Sequence, residues 1–156
     1  KSLFQGGELR IFATHTAHVD KELRMEEGIT EADYTRFASE VKSFRKNLQK
    51  LFLGLKGSTV AGFAAPAKAV TLLNYCGLGT DAIAIIVDST PFKQGRFLPG
   101  LHIPIYPEDY LKGKKIDAVF LLAWNYRDQI VGKIRRLTGK GTKIIVPFPK
   151  LETLSL

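Results

Sequence analysis

Gly62-Phe63-Ala64-Ala65-Pro66-Ala67-Lys68 joins an apolar run over residues 58–63 to a helix-periodic run over residues 66–78. Strand, tight turn and helix in that order make the phosphate-binding turn of a doubly wound α/β domain. The stretch reads G-x-A-x-x-A where the dinucleotide fingerprint is G-x-G-x-x-G. Asp88 follows about 20 residues later, at the end of the next apolar run, where a ribose-binding acid belongs. The context fits and the glycines do not. A methyl group at Ala64 obstructs the close backbone approach to a pyrophosphate that the second glycine permits, which disfavours an intact nicotinamide or flavin site. The helix N-terminus still suits another phosphate. Lys68, in the first turn, opposes the helix dipole unless an anion is present. Pro66 is expected at the first helical position, which tolerates its missing N–H.

Working outward, near-continuous apolar runs predict strands over residues 59–63, 84–87, 102–105, 118–123 and 143–146, covered on both faces. Helical periodicity predicts helices over residues 66–78 and 126–137. Alternating βα units imply a parallel sheet with helices on both faces and ligands at the carboxyl ends of the strands. Upstream, Thr30 is a plausible N-cap with Glu31 and Asp33 in the first turn. Tyr34, Phe37, Val41, Phe44, Leu48, Leu51 and Leu55 then fall on one seam, and Gly57 supplies the stop. A helix of about 25 residues and about 37 Å exceeds what a small sheet covers, so it is expected to pack on a partner domain or a second copy as well. Glu8 to Ala13 alternates polar and apolar residues after Gly6-Gly7 and reads as a short strand. The fold class is therefore α/β, a Rossmann-like three-layer α-β-α sandwich with a mostly parallel sheet (residues 58–156). A short N-terminal strand and connector (1–29) and a long linker helix (30–57) precede it.

The 156 residues, 45% hydrophobic and 24% charged, suit a globular chain with a real core. No apolar run is long enough to span a membrane, and residues 1–7 lack a signal-peptide core, so an intracellular, cytoplasmic protein is expected. Starting at Lys1 rather than methionine, the chain is expected to be a piece of something longer. A single cysteine, Cys76, excludes an intrachain disulfide and a multi-thiolate metal site and reads as a buried thiol. The net charge of +8 concentrates beyond residue 60, which holds thirteen Lys/Arg against seven Asp/Glu. The basic clusters Lys112/Lys114/Lys115 and Lys133/Arg135/Arg136/Lys140 fall on loop and helix ends without interleaved aromatics, so nucleic acid is an unlikely partner.

Four segments lie at expected strand carboxyl ends: residues 64–68, 88–100, 106–108 and 124–125. The second is a Gly/Pro-shaped loop carrying Asp88, Lys93, Gln94 and Arg96 beside Phe92 and Phe97, long enough between two strands to imply binding. Lys93 and Arg96 are suited to neutralising phosphates. His102 opens the next strand and is placed equally well against a ligand or in the core. Trp124 reads as a buried aromatic and Asn125 as the cap of the following helix, while Asn74 and Asp81 read as cap or turn residues. His15 and His18 lie in a polar connector. No Ser/His/Asp set, metal motif or Walker loop is present in the sequence, and nothing in it forms a complete active site.

Ala64-Ala65-Pro66-Ala67-Lys68 with the helix running to Gly79, then Asp88 with Lys93-Gln94-Gly95-Arg96-Phe97-Leu98-Pro99-Gly100-Leu101-His102, then Leu122-Ala123-Trp124-Asn125-Tyr126, resembles a known family. It is the C-terminal domain of S-adenosylmethionine-dependent C-methyltransferases that act on C3 of nucleotide-linked deoxysugars. The resemblance covers most of residues 58–154. Gly6-Gly7-Glu8-Leu9-Arg10-Ile11-Phe12 is similar to the last strand of the family's central methyltransferase domain, with Glu8 where a small serine is frequent, and the long helix is similar to its connector. The resemblance implies a three-part parent: a cysteine-ligated zinc domain, a central domain holding S-adenosylmethionine and the acid/base residues, and this domain. It implies no cofactor in this chain, which would bind and orient a nucleotide-sugar in concert with the parent's N-terminal domains. Ala65, Pro66, Ala67 and Lys68 would meet the pyrophosphate, and Lys93, Gln94, Arg96 and His102 would line the nucleotide-sugar. Two alternatives remain. A NAD(P)-binding oxidoreductase domain would explain Asp88 but not Ala64, and a basic nucleic-acid-binding module would explain the charge but not the fingerprint.

Overall fold

The computed structural model describes residues 30–155, so the strand expected over residues 8–13 lies outside the described residues. The chain divides into two compact units, Lys1–Phe44 and Arg45–Leu156. Helix α1 (Glu31–Leu53) starts in the first. Its N-terminus is a reciprocal cap. The Thr30 amide and hydroxyl donate to the Asp33 carboxylate at 2.9 and 2.7 Å, while the Asp33 amide donates back to Oγ1 of Thr30 at 3.3 Å. Tyr34 and Phe37, which open the expected seam, are exposed.

The second unit is built on a six-stranded sheet. Its strands are β1 (Val60–Phe63), β2 (Ile85–Val87), β3 (Ile105–Tyr106), β4 (Ala118–Leu121), β5 (Lys143–Val146) and β6 (Glu152–Ser155), in the order β3-β2-β1-β4-β5-β6. The first five run parallel. β6 pairs antiparallel with β5, from Lys143 opposite Ser155 to Val146 opposite Glu152, and was not anticipated. Two helices complete the α/β pattern, α2 (Ala67–Cys76) and α3 (Arg127–Thr138).

From the centre, β1 leads through α2 outward to β2, while β4 leads through α3 outward to β5. Right-handed crossovers in opposite directions put the two helices on opposite faces. On one face Ala61, Phe63, Val87, Val119, Leu121, Ile144 and Val146 gather around Ile134 of α3 and Leu111. On the other, Phe52 at the end of α1 meets Phe120 edge-on at 5.2 Å. Gln49 Nε2 donates to the Cys76 carbonyl at the end of α2, so these two helices share a face. Leu48, Leu73, Cys76 and Phe120 are all fully buried. Each large aliphatic or aromatic side chain removed from water this way stabilises the fold by about 1.5–3 kcal/mol.

Gly62 belongs to the same packing. A Cβ built there would lie 2.8 Å from Ile86 Cγ1 and 3.0 Å from Leu122 Cδ1. The first glycine of the worn fingerprint therefore serves close packing across β1, β2 and the end of β4. The strand runs on to the switch point between the carboxyl ends of β1 and β4, where the strand order reverses and a doubly wound fold places its ligand crevice.

Candidate functional site

The turn after β1 is held by its amides. Ala64 adopts φ 71°, a left-handed conformation, and its N–H donates to the Val87 carbonyl at 2.7 Å. Ala65 donates to Asp88 Oδ2 at 2.6 Å. Pro66 is the N-cap of α2 in an extended conformation (φ −76°, ψ 162°), one residue earlier than the sequence placed it. An extended backbone suits proline, and the helix begins only at Ala67.

Asp88 closes this turn from the neighbouring strand. Only 4% of it is exposed. Oδ2 accepts from Ala65 N and from Lys93 Nζ (3.3 Å), and Oδ1 accepts from Thr90 N at 2.8 Å. Burial pushes its carboxyl pKa up. The hydrogen bonds from Thr90, Ala65 and Lys93 together outweigh burial and leave it below the ordinary value, so Asp88 is a buried carboxylate paired with a lysine. Lys93 Nζ also donates to the Ala65 carbonyl at 3.0 Å, and Gln94 Nε2 donates to the Asp88 carbonyl at 2.9 Å. Asp88, Lys93 and Gln94 thus clamp the end of β2 onto the β1–α2 turn. In a dinucleotide-binding domain the acid at the end of β2 faces the cofactor ribose. Asp88 turns its carboxylate to Ala65, Thr90 and Lys93 instead.

The long loop is shorter in effect than in sequence. Gly95 N donates to Ile105 O at 2.9 Å, Ile105 N to Arg96 O at 2.8 Å and Leu98 N to Ile103 O at 2.8 Å, with an antiparallel bridge between Phe97 and Pro104. Residues 95–105 therefore fold back as a hairpin along the β3 edge. Its tip rests on α2, where Asn74 Nδ2 donates to the Pro99 carbonyl at 3.1 Å. His102 does not open a strand. It sits in the tip with φ 55° and is exposed, because the pairing of Leu98 with Ile103 requires a tight reversal there. Asn74 stands six residues along α2 from Lys68, about 9 Å at 1.5 Å per residue. The structure therefore gathers Ala65, Pro66, Ala67, Lys68, Asp88, Lys93 and Gln94 at one end of α2 and sets His102 toward the other. Arg96 is exposed at the base of the hairpin, beside Ile105.

Lys68 reaches across the crevice. Its ammonium donates to Oδ1 of Asn125 and lies 4.0 Å from the centroid of the Trp124 ring. Trp124 packs in turn on Phe148, ring centroids 5.0 Å apart. Among the described residues no carboxylate comes within 4.0 Å of Lys68. Removal from water lowers its pKa. Trp124 and Asn125 are the residues that sequence reasoning assigned elsewhere. The N-cap of α3 is Tyr126, without a side-chain cap bond, so Asn125 is free to accept from Lys68. The signal for both was their place at the end of β4, opposite the turn of β1.

This is a Rossmann-like α/β domain in which Lys68, after β1, reaches Asn125 and Trp124 at the end of β4. The chain belongs to the C-methyltransferase C-terminal domain family, whose model matches residues 3–149. It is similar to the C-methyltransferase NovU of Streptomyces niveus, with 36% identity over 163 aligned residues that take in 96% of this chain. The chain spans 39% of that relative's length.

Proposed function

We propose that this domain binds and orients a nucleotide-sugar for an S-adenosylmethionine-dependent C-methyltransferase of the cytoplasm. The methyl donor and the acid/base residues lie in a central domain of the parent, which also carries a zinc domain. The observation that supports this reading is Lys68, a partly desolvated ammonium with no carboxylate beside it among the described residues, at the helix N-terminus beside the crevice. An unpaired charge taken from water is costly unless an anion completes it. A diphosphate brings that anion. Ala65, Pro66, Ala67 and Lys68 form its side of the site and Arg96 flanks it, while Asp88, Lys93 and Gln94 hold the turn in shape. His102 contacts the ligand only from the far side of the hairpin.

The test is nucleotide-sugar affinity in the full-length enzyme. Lys68→Ala and Arg96→Ala each weaken binding by about 10- to 100-fold, the value of one charge-assisted contact. Turnover at saturating substrate stays near wild type, because the reacting groups lie elsewhere. Wild-type affinity in both variants refutes the reading and makes the loop a solvated connector.

A further inference from the structure

Two lysines stand near the β1–α2 turn, and their partners differ in kind. Lys93 is neutralised by Asp88 and satisfied by the Ala65 carbonyl. Lys68 is held in place by an amide oxygen and an aromatic face, neither of which carries a formal charge. A neutral acceptor and a π-face fix the position of an ammonium while leaving its charge unspent. A carboxylate in the same place would fix it equally well and cancel it. The aromatic support is itself anchored, since Trp124 packs on Phe148 at the end of β5.

We propose that Lys68, Trp124 and Asn125 form an oxyanion receptor for a phosphate ester across the β1/β4 crevice, in which Asn125 is the specificity-determining residue. The neutrality of Asn125 reserves the ammonium for the ligand. This rests on the reading that the crevice takes a diphosphate, and it assigns two residues to that site which neither the helix N-terminus nor the basic loop supplies. Trp124 limits where the ammonium can go: with its ring beneath, Lys68 approaches an incoming oxyanion from one side.

The experiment compares Asn125→Asp, Asn125→Gln and Lys68→Ala in the full-length enzyme, titrated calorimetrically with uridine diphosphate and with inorganic pyrophosphate. Asn125→Asp converts a reserved cation into a completed ion pair and adds a negative charge against the ligand. It weakens both probes by about tenfold or more, as loss of a charge-assisted bond requires. Asn125→Gln keeps the neutral acceptor and stays within about threefold of wild type, far less than such a bond is worth. A second readout follows the Lys68 side-chain carbon resonance. A facing carboxylate favours the ammonium, so Lys68 titrates at higher pH in Asn125→Asp than in wild type. An unmoved titration would mean that Asn125 does not face the Lys68 ammonium, which overturns the receptor.

If Lys68→Ala weakens binding but Asn125→Asp does not, the role of Asn125 is refuted and the crevice reading stands. If Lys68→Ala and Asn125→Asp both bind as wild type, the crevice itself is refuted. Should Asn125→Asp fail to fold, wild-type resonances decide. Pyrophosphate shifts the Lys68 signal saturably if the receptor exists, and absence of that shift overturns it.

Discussion

Replacing Ala64 with glycine should stabilise the domain, against the usual cost of glycine. Ala64 holds φ 71°, where its Cβ crowds the following carbonyl at a cost of about 1–2 kcal/mol. Glycine removes that strain and gives back about 0.5–1 kcal/mol through the freedom of the unfolded chain. The methyl group is half-buried against the core, so its loss costs a further 0.4 kcal/mol or so, about half of a fully buried methylene. Taking the middle of each range, the balance is a gain of about 0.3 kcal/mol. Ala67→Gly is the internal control, because Ala67 is helical and exposed and the same substitution there costs about 0.5–1 kcal/mol. Urea unfolding reads the contrast directly: the Ala64→Gly midpoint rises by about 0.2 M and the Ala67→Gly midpoint falls by about 0.4 M for a slope near 2 kcal/mol/M. The opposite signs carry the test. An Ala64→Gly variant as unstable as Ala67→Gly would refute the argument that the turn stores strain at Ala64.

Gly62→Ala should destabilise by about 1–3 kcal/mol, because its Cβ meets Ile86 and Leu122 on a packed sheet face, and thermal unfolding measures it. Asp88 titrates below its ordinary value in the folded chain, so the stability it contributes is complete above the unfolded-state pKa of about 4 and is lost as pH falls through the folded value. Asp88→Asn should accordingly flatten the acid limb of the urea midpoint measured from about pH 5 to pH 2, and an unchanged limb would show that Asp88 is not the group responsible. Lys68→Met should cost less than about 1 kcal/mol of stability, since it trades one hydrogen bond and one cation–π contact for relief of a desolvated charge. A larger loss by differential scanning calorimetry would make Lys68 a structural residue.

The sheet was legible where its strands are buried on both faces. β1, β2, β4 and β5 are short apolar runs bounded by turn residues, and the βα alternation around them admits few topologies. β6 escaped because an edge strand alternates half-buried and exposed residues, and Glu152-Thr153-Leu154-Ser155 offers too short a stretch for that period to stand out. β3 moved toward the carboxyl end because Phe97–Pro104 pairing and the reversal at His102 depend on contacts between residues far apart in the loop. The candidate site followed the same division. The turn, Lys68 and Asp88 were found by spacing, whereas their partners were not. Spacing places an acid at the end of β2, but whether its oxygens face a ribose or the Ala65 amide depends on where Lys93 and Thr90 stand. Trp124 and Asn125 look like a core aromatic and a helix cap until β4 is seen beside β1.

Whether the β1/β4 crevice receives the diphosphate of a nucleotide-sugar is decided by a crystal structure of the full-length protein with that ligand bound. Diphosphate oxygens should lie within about 3 Å of Lys68 Nζ, the length of a charge-assisted hydrogen bond, with Asn125 alongside. A diphosphate bound wholly by other domains, with Lys68 still against Asn125 and Trp124 and touching no ligand atom, would contradict it.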